Sequence, residues 1–165
     1  MRRIMLIFIT IFTLFSNPAY SFWIWTPKTG KWVNPKNVAK ESPKAQFDYA
    51  LSFYKEGKLD DAWREFKKLL KEYPKSFEAS ESQYYLGLIE EARENFYEAY
   101  QAYQRLIDKY PFSERIKEVI EREYNIADKF MSGHKRKALG ITLPVENPAI
   151  EIFTKVVENS TYGPL

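Results

Sequence analysis

A spacing of 37 residues recurs along this chain and restricts its fold more than any other feature. Ala50 and Gly87, Ala62 and Ala99, and Pro74 and Pro111 are each 37 residues apart. The run Ala50-x2-Phe53-x3-Gly57-x4-Ala62-x3-Phe66-x2-Leu69-x3-Tyr73-Pro74 is echoed by Gly87-x11-Ala99-x3-Tyr103-x2-Leu106-x3-Tyr110-Pro111. A looser third copy holds Ala127, Ala149, Phe153 and Val156. A fixed period of this length means stacked supersecondary units, usually a helical solenoid. Proteins built this way mostly bind other proteins.

The helix signals fit that reading. Ser42-Pro43 reads as an N-cap with proline at the first helical position. The first helix is expected to stop at Gly57, a residue suited to the left-handed cap. A second helix is predicted over 59–72, ended by Tyr73-Pro74, because the residue before proline is pushed out of the helical region. Ser76 caps a third to about Arg93, a fourth runs over 96–109, and Ser113 caps a fifth to about Met131. Asn147-Pro148 opens a sixth to about Glu158. The repeats fall at about 43–76, 80–113 and 115–161. The small residues let paired helices approach closely, with Phe53, Phe66 and Tyr103 filling the space beside them.

The first 21 residues read as an export signal. Arg2-Arg3 precede an apolar run from Ile4 to Phe15, too short to span a bilayer comfortably. Asn17-Pro18 breaks it, and Ala19-Tyr20-Ser21 is a small-x-small cleavage site, giving a mature chain from Phe22. Removing Arg2 and Arg3 from the 25 basic residues leaves 23 against 22 acidic ones. That balance does not suit nucleic acid. There is no cysteine, hence no disulfide, thiolate nucleophile or lipid-bearing Cys.

Residues 22–41 form a distinct segment holding Trp23, Trp25 and Trp32. Alternation around Thr26-Pro27-Lys28-Thr29-Gly30-Lys31 predicts a small hairpin or extended strand. It serves either as a cap over the first repeat or as an aromatic docking strip.

The repeat pattern resembles the tetratricopeptide repeat. Residues 43–76 match its signature at Ala50, Phe53, Ala62, Phe66 and Pro74, and residues 80–113 at Leu86-Gly87, Ala99, Tyr103 and Pro111. The extra residues of the longer period fall in Lys75-Ser76-Phe77-Glu78-Ala79. Leu70-x2-Tyr73-Pro74-Lys75-Ser76-x2-Ala79, Gln83-Tyr84-Tyr85-Leu86-Gly87, Ala99-x3-Tyr103-Gln104-Arg105-Leu106-Ile107 and Glu158-Asn159-Ser160-Thr161-Tyr162-Gly163-Pro164 are similar to the BamD (ComL/YfiO) family of outer-membrane assembly factors. The resemblance covers residues 42–165. It implies an all-α solenoid of about three helix pairs acting without catalysis in the bacterial envelope, in the assembly of outer-membrane β-barrel proteins. The chain departs from the family in lacking the lipid-bearing Cys, in its Trp-rich segment and in stopping at Gly163-Pro164-Leu165. Membrane association is therefore expected only through a partner. A C-terminal truncation, or a dimer burying that end, is expected. A periplasmic adaptor for cell-wall synthesis or pilus/secretin assembly, or the recognition arm of a longer enzyme, are the alternative roles.

The first helix of each pair is expected to line a peptide groove. Counting from the small residue places Phe47, Leu51, Tyr54 and Lys55 there in repeat one, and Tyr84, Leu88 and Glu91 in repeat two. Tyr124 and Asp128 follow in repeat three. Trp23, Trp25, Trp32 and the basic run Lys135-Arg136-Lys137 are possible docking points. The 22 residues from Ala127 to Ala149, against 12 in the earlier pairs, make this last segment an insertion, read as a solvated loop with Ile141 and Leu143 tucked onto neighbouring helices. Glu90, Glu91 and Glu94 are read as a solvated face. His134 is the only histidine, and neither a triad nor a zinc spacing can be assembled. No cofactor is expected.

Overall fold

The computed structural model describes residues 23–27, 30–34, 38–135, 137–138, 141–142 and 147–162. The expected export signal and cleavage site over residues 1–21, and the terminal Gly163-Pro164-Leu165, lie outside the described residues. The chain divides into two units, Met1–Val38 and Ala39–Leu165.

In the first unit, β1 (Ile24–Thr26) and β2 (Lys31–Val33) pair antiparallel, with Trp25 opposite Trp32. Gly30, at φ +62°, closes the turn and donates its N–H to Thr26 O at 2.9 Å. The expected hairpin is therefore present.

The second unit is built from α1 (Pro43–Lys55), α2 (Leu59–Glu72), α3 (Phe77–Ala92), α4 (Phe96–Lys109), α5 (Ile116–Met131) and α6 (Ala149–Tyr162). Ser42 caps α1 as expected, its Oγ accepting from Ala45 N at 3.2 Å. Two ends differ from expectation. Ser113 stands upstream of the N-cap of α5, which is Arg115, and its Oγ accepts from Arg115 N at 3.3 Å. Helix α6 continues past Glu158 to Tyr162, because no proline or glycine interrupts it before Gly163. The long α5–α6 connection is not simply a loop: β3 (Lys137–Ala138) pairs with β4 (Ile141–Thr142). Leu143 lies outside the described residues.

Three helices end in the same way. Gly57 N–H donates to Tyr54 O at 3.0 Å and Lys58 N–H to Phe53 O at 2.9 Å. Glu94 and Asn95 repeat this on Glu91 and Glu90, and Gly133 and His134 repeat it on Phe130 and Lys129. This paired pattern satisfies the orphan carbonyls of the last turn and needs a left-handed residue at its bend. Gly57, Glu94 and Gly133 supply it at φ 73°, 59° and 99°.

The helices pack as the pairs α1–α2, α3–α4 and α5–α6, with α2 against α3 and α4 against α5. Ala50, Ala62, Ala99, Ala127 and Ala149 are fully buried, as are Phe66 and Tyr103. Phe53 is only half-buried and meets Tyr49 edge to face, centroids 4.9 Å apart. Hydrogen bonds follow the period too. Gln46 Nε2 donates to Glu65 O at 3.0 Å, and Gln83 Nε2 to Ala102 O at 2.8 Å. Tyr73 OH donates to Lys40 O at 2.5 Å and Tyr110 OH to Pro74 O at 3.0 Å, each tying a second helix to the preceding link.

Candidate functional site

The first helices α1, α3 and α5 meet along two seams that share a register and differ in chemistry. Between repeats one and two the seam is aromatic. Tyr85 of α3 sits 5.7 Å from Phe47, 5.1 Å from Tyr54 and 5.1 Å from Phe66, ring centroid to centroid. Phe47 also meets Phe66 at 5.6 Å. Phe47, Leu51, Tyr54 and Tyr85 are half-buried, packed below and open above, and Lys55 beside them is exposed.

Between repeats two and three the same positions carry charge. Adding 37 converts Phe47, Tyr54 and Tyr85 into Tyr84, Glu91 and Arg122. Arg122 lies 5.7 Å from the Tyr84 ring and 3.4 Å from Glu91. Arg115 lies 4.7 Å over the Tyr84 ring and grips Glu81 through Nε and Nη2, at 3.0 Å each. Glu118 links both guanidiniums at 3.1 Å and accepts from Tyr84 OH. That hydrogen bond, together with the arginines, holds the Glu118 carboxyl below the usual carboxylate range despite its partial burial. Burial and then the Glu118 hydrogen bond push the Tyr84 phenol up to about 12.

These contacts divide the expected groove. Phe47, Leu51, Tyr54 and Lys55 stand together on one face. Leu88 is half-buried against the core. Tyr84, only 4% exposed, is a structural residue and not a free groove side chain, because its ring packs against two arginines and its hydroxyl is held by Glu118. Glu91 is likewise engaged, accepting from Tyr103 OH at 2.5 Å as well as pairing with Arg122. Burial, reinforced by the Glu91 charge, raises the Tyr103 phenol well above its ordinary value. Glu90 is not a solvated residue either: it pairs with Arg93 at 3.0 Å and accepts from Asn95 Nδ2 at 3.0 Å. Tyr124 is exposed and touches Phe153 edge to face at 5.3 Å; Asp128 is exposed. Tyr85 was missed by sequence reasoning. Its signal was present in the doublet Tyr84-Tyr85, whose two rings point to opposite seams 100° apart on one helix.

The possible docking points belong to different units of the chain. Trp23, Trp25 and Trp32 are exposed on the hairpin. Lys135 is exposed, Arg136 lies outside the described residues, and Lys137 belongs to β3. His134 closes the α5 cap, its ring edge to face with Phe96 at 5.4 Å.

At the far end, Ile150, Phe153 and Val157 of α6 occupy the register of Trp63, Phe66 and Leu70, and of Tyr100, Tyr103 and Ile107, counting from Ala149, Ala62 and Ala99. In the two earlier repeats the following first helix packs on that face. On α6, Ile150 and Val157 are 77% and 62% exposed. Among the described residues no group of three or more His, Cys, Asp or Glu is placed to hold a metal ion, and no helix is long and apolar enough to cross a membrane.

Comparison with known proteins agrees with this geometry. Residues 47–114 match the family model of the tetratricopeptide repeat. No match was found among curated proteins. The matched segment spans both seam-forming helices of the first two repeats, and tetratricopeptide repeats generally mediate protein–protein interaction. The helical unit is an all-α helical-repeat solenoid, and its residues 47–114 are similar to the tetratricopeptide repeat.

Proposed function

We propose that this protein is a non-enzymatic scaffold of the bacterial envelope that binds peptide segments of partner proteins, in the assembly of outer-membrane β-barrel proteins. The observation that carries the binding mode is the half-open aromatic face of Phe47, Leu51, Tyr54 and Tyr85, bordered by exposed Lys55. Rings packed from below and bare above offer preformed apolar contact at little entropic cost. An extended or helical peptide could lay apolar side chains there and place an acidic group on Lys55. The charged seam at Tyr84 and Arg122 fixes the pitch between repeats two and three, so it holds the groove in shape. The export signal of residues 1–21 and the sequence likeness to the BamD family support the envelope setting.

A crosslinking pull-down from native envelope membranes, read by mass spectrometry, tests this role. Recovery of a large outer-membrane barrel with periplasmic domains is the expected result. Recovery of cell-wall synthases or a secretin instead would replace it with the periplasmic adaptor role. The same spectra are expected to show a mature N-terminus at Phe22; an intact Met1 would remove the soluble-export reading.

A further inference from the structure

The N-terminal hairpin pairs two indoles on one side. Trp25 and Trp32 are cross-strand partners, so both stand on the same face, edge to face at 5.8 Å. Trp23 stands just before β1, two residues ahead of Trp25. The three are 54%, 47% and 63% exposed. A two-stranded hairpin is marginal in water on its own, and grouped bare indoles mark an interaction surface. Charge adds a second observation. From Phe22 to Lys40 the sequence holds Lys28, Lys31, Lys36 and Lys40 and no acidic residue.

We propose that this tryptophan face docks directly onto an anionic lipid surface. Indoles are amphipathic and favour the headgroup level, where the ring is partly dry and the N–H remains solvated. Lysines flanking such a patch are drawn to the negative surface of the lipid. Protein interfaces are instead depleted in lysine, so aromatic residues interleaved with lysine and free of acid fit lipid better than a protein. The contact would be peripheral and would add to any partner-mediated attachment. It is independent of the peptide groove.

The test is co-sedimentation of the mature chain from Phe22 with phosphatidylcholine vesicles, with and without phosphatidylglycerol, at low and high salt. Binding is expected on the phosphatidylglycerol vesicles, with a blue shift of indole emission and weakening by salt. Trp25→Ser/Trp32→Ser, and separately Lys28→Glu/Lys31→Glu, are each expected to weaken that binding by about tenfold or more. The charge-reversal pair keeps every indole, so it tests the proposal even where the serine pair unzips the hairpin. Circular dichroism should report unchanged helix in both. No binding to phosphatidylglycerol vesicles, or equal binding by wild type and both variants, would overturn the proposal. So would loss of a protein partner from the serine variant with vesicle binding intact.

Discussion

The ring of Tyr103 in α4 lies directly against the backbone of Gly87 in α3. A Cβ at position 87 would fall 2.6 Å from Tyr103 Cδ1 and Cζ and closer still to Cε1. The ring is fully buried and its hydroxyl is fixed on Glu91, so it has little room to yield. Gly87→Ala is therefore expected to lower stability by about 1–2 kcal/mol, overpacking outweighing the gain in helix propensity. Urea unfolding followed by circular dichroism measures it; an unchanged or raised midpoint would show that the ring shifts freely.

Glu94 occupies the place of Gly57 one period later and keeps the same positive φ. A side chain in that conformation costs about 1–2 kcal/mol, part of which glycine returns through its freer unfolded chain. Glu94→Gly should stabilise the fold by about 0.5–1 kcal/mol, and Gly57→Ala should destabilise it by a similar amount. Thermal melts of the two variants should move in opposite directions.

Glu123 gives stability a pH dependence. Its side chain is fully buried, accepting from Gln104 Nε2 at 2.9 Å on both oxygens, and burial pushes its pKa up to about 8. The folded chain therefore holds a proton that the unfolded chain, with an ordinary carboxyl, has released at neutral pH. The sign follows: this contribution is fully present below the ordinary carboxylate pKa and is lost as pH rises to about 8. The slope approaches about 1.4 kcal/mol per pH unit between those limits. Glu123→Gln should flatten the profile and raise stability at pH 8, read by urea titrations across that range.

The two seams predict different outcomes for two tyrosines. Tyr84→Ala empties a buried site and removes one of the three groups bonded to Glu118, so it should cost about 3 kcal/mol or more. Tyr54→Ala, from a half-open site, should cost about 1 kcal/mol and leave the helices intact. With Lys55→Glu added, it should abolish binding of the partner recovered by crosslinking while circular dichroism stays unchanged. Retained binding would move the groove elsewhere.

The solenoid was legible because its signals are local and repeated. Ala50, Ala62, Gly87 and Ala99 set the period, and Gly57, Pro74 and Pro111 set the helix ends. Both kinds of signal act through short-range sterics that a spacing alone reveals. The groove was only half legible. Periodicity puts Phe47 and Tyr84 in equivalent places, yet one is half-open among aromatic rings and the other is buried against two guanidiniums. The difference lies in Tyr85 and Arg122 on the facing helices, and a face's neighbours cannot be counted from its own helix.

Sequence by itself determined the repeat, five of the six helix starts, the N-terminal hairpin and the buried alanine contacts. Each depends on residues near one another in the chain or on a residue's own conformational limits. Tertiary structure alone decided which seam is aromatic and which is ionic, that Glu123 is buried with no arginine or lysine partner among the described residues, and that Trp25 and Trp32 meet on one exposed face. Those outcomes come from side chains distant in sequence meeting across helices or strands, where burial and charge pairing exist only once the chain has folded.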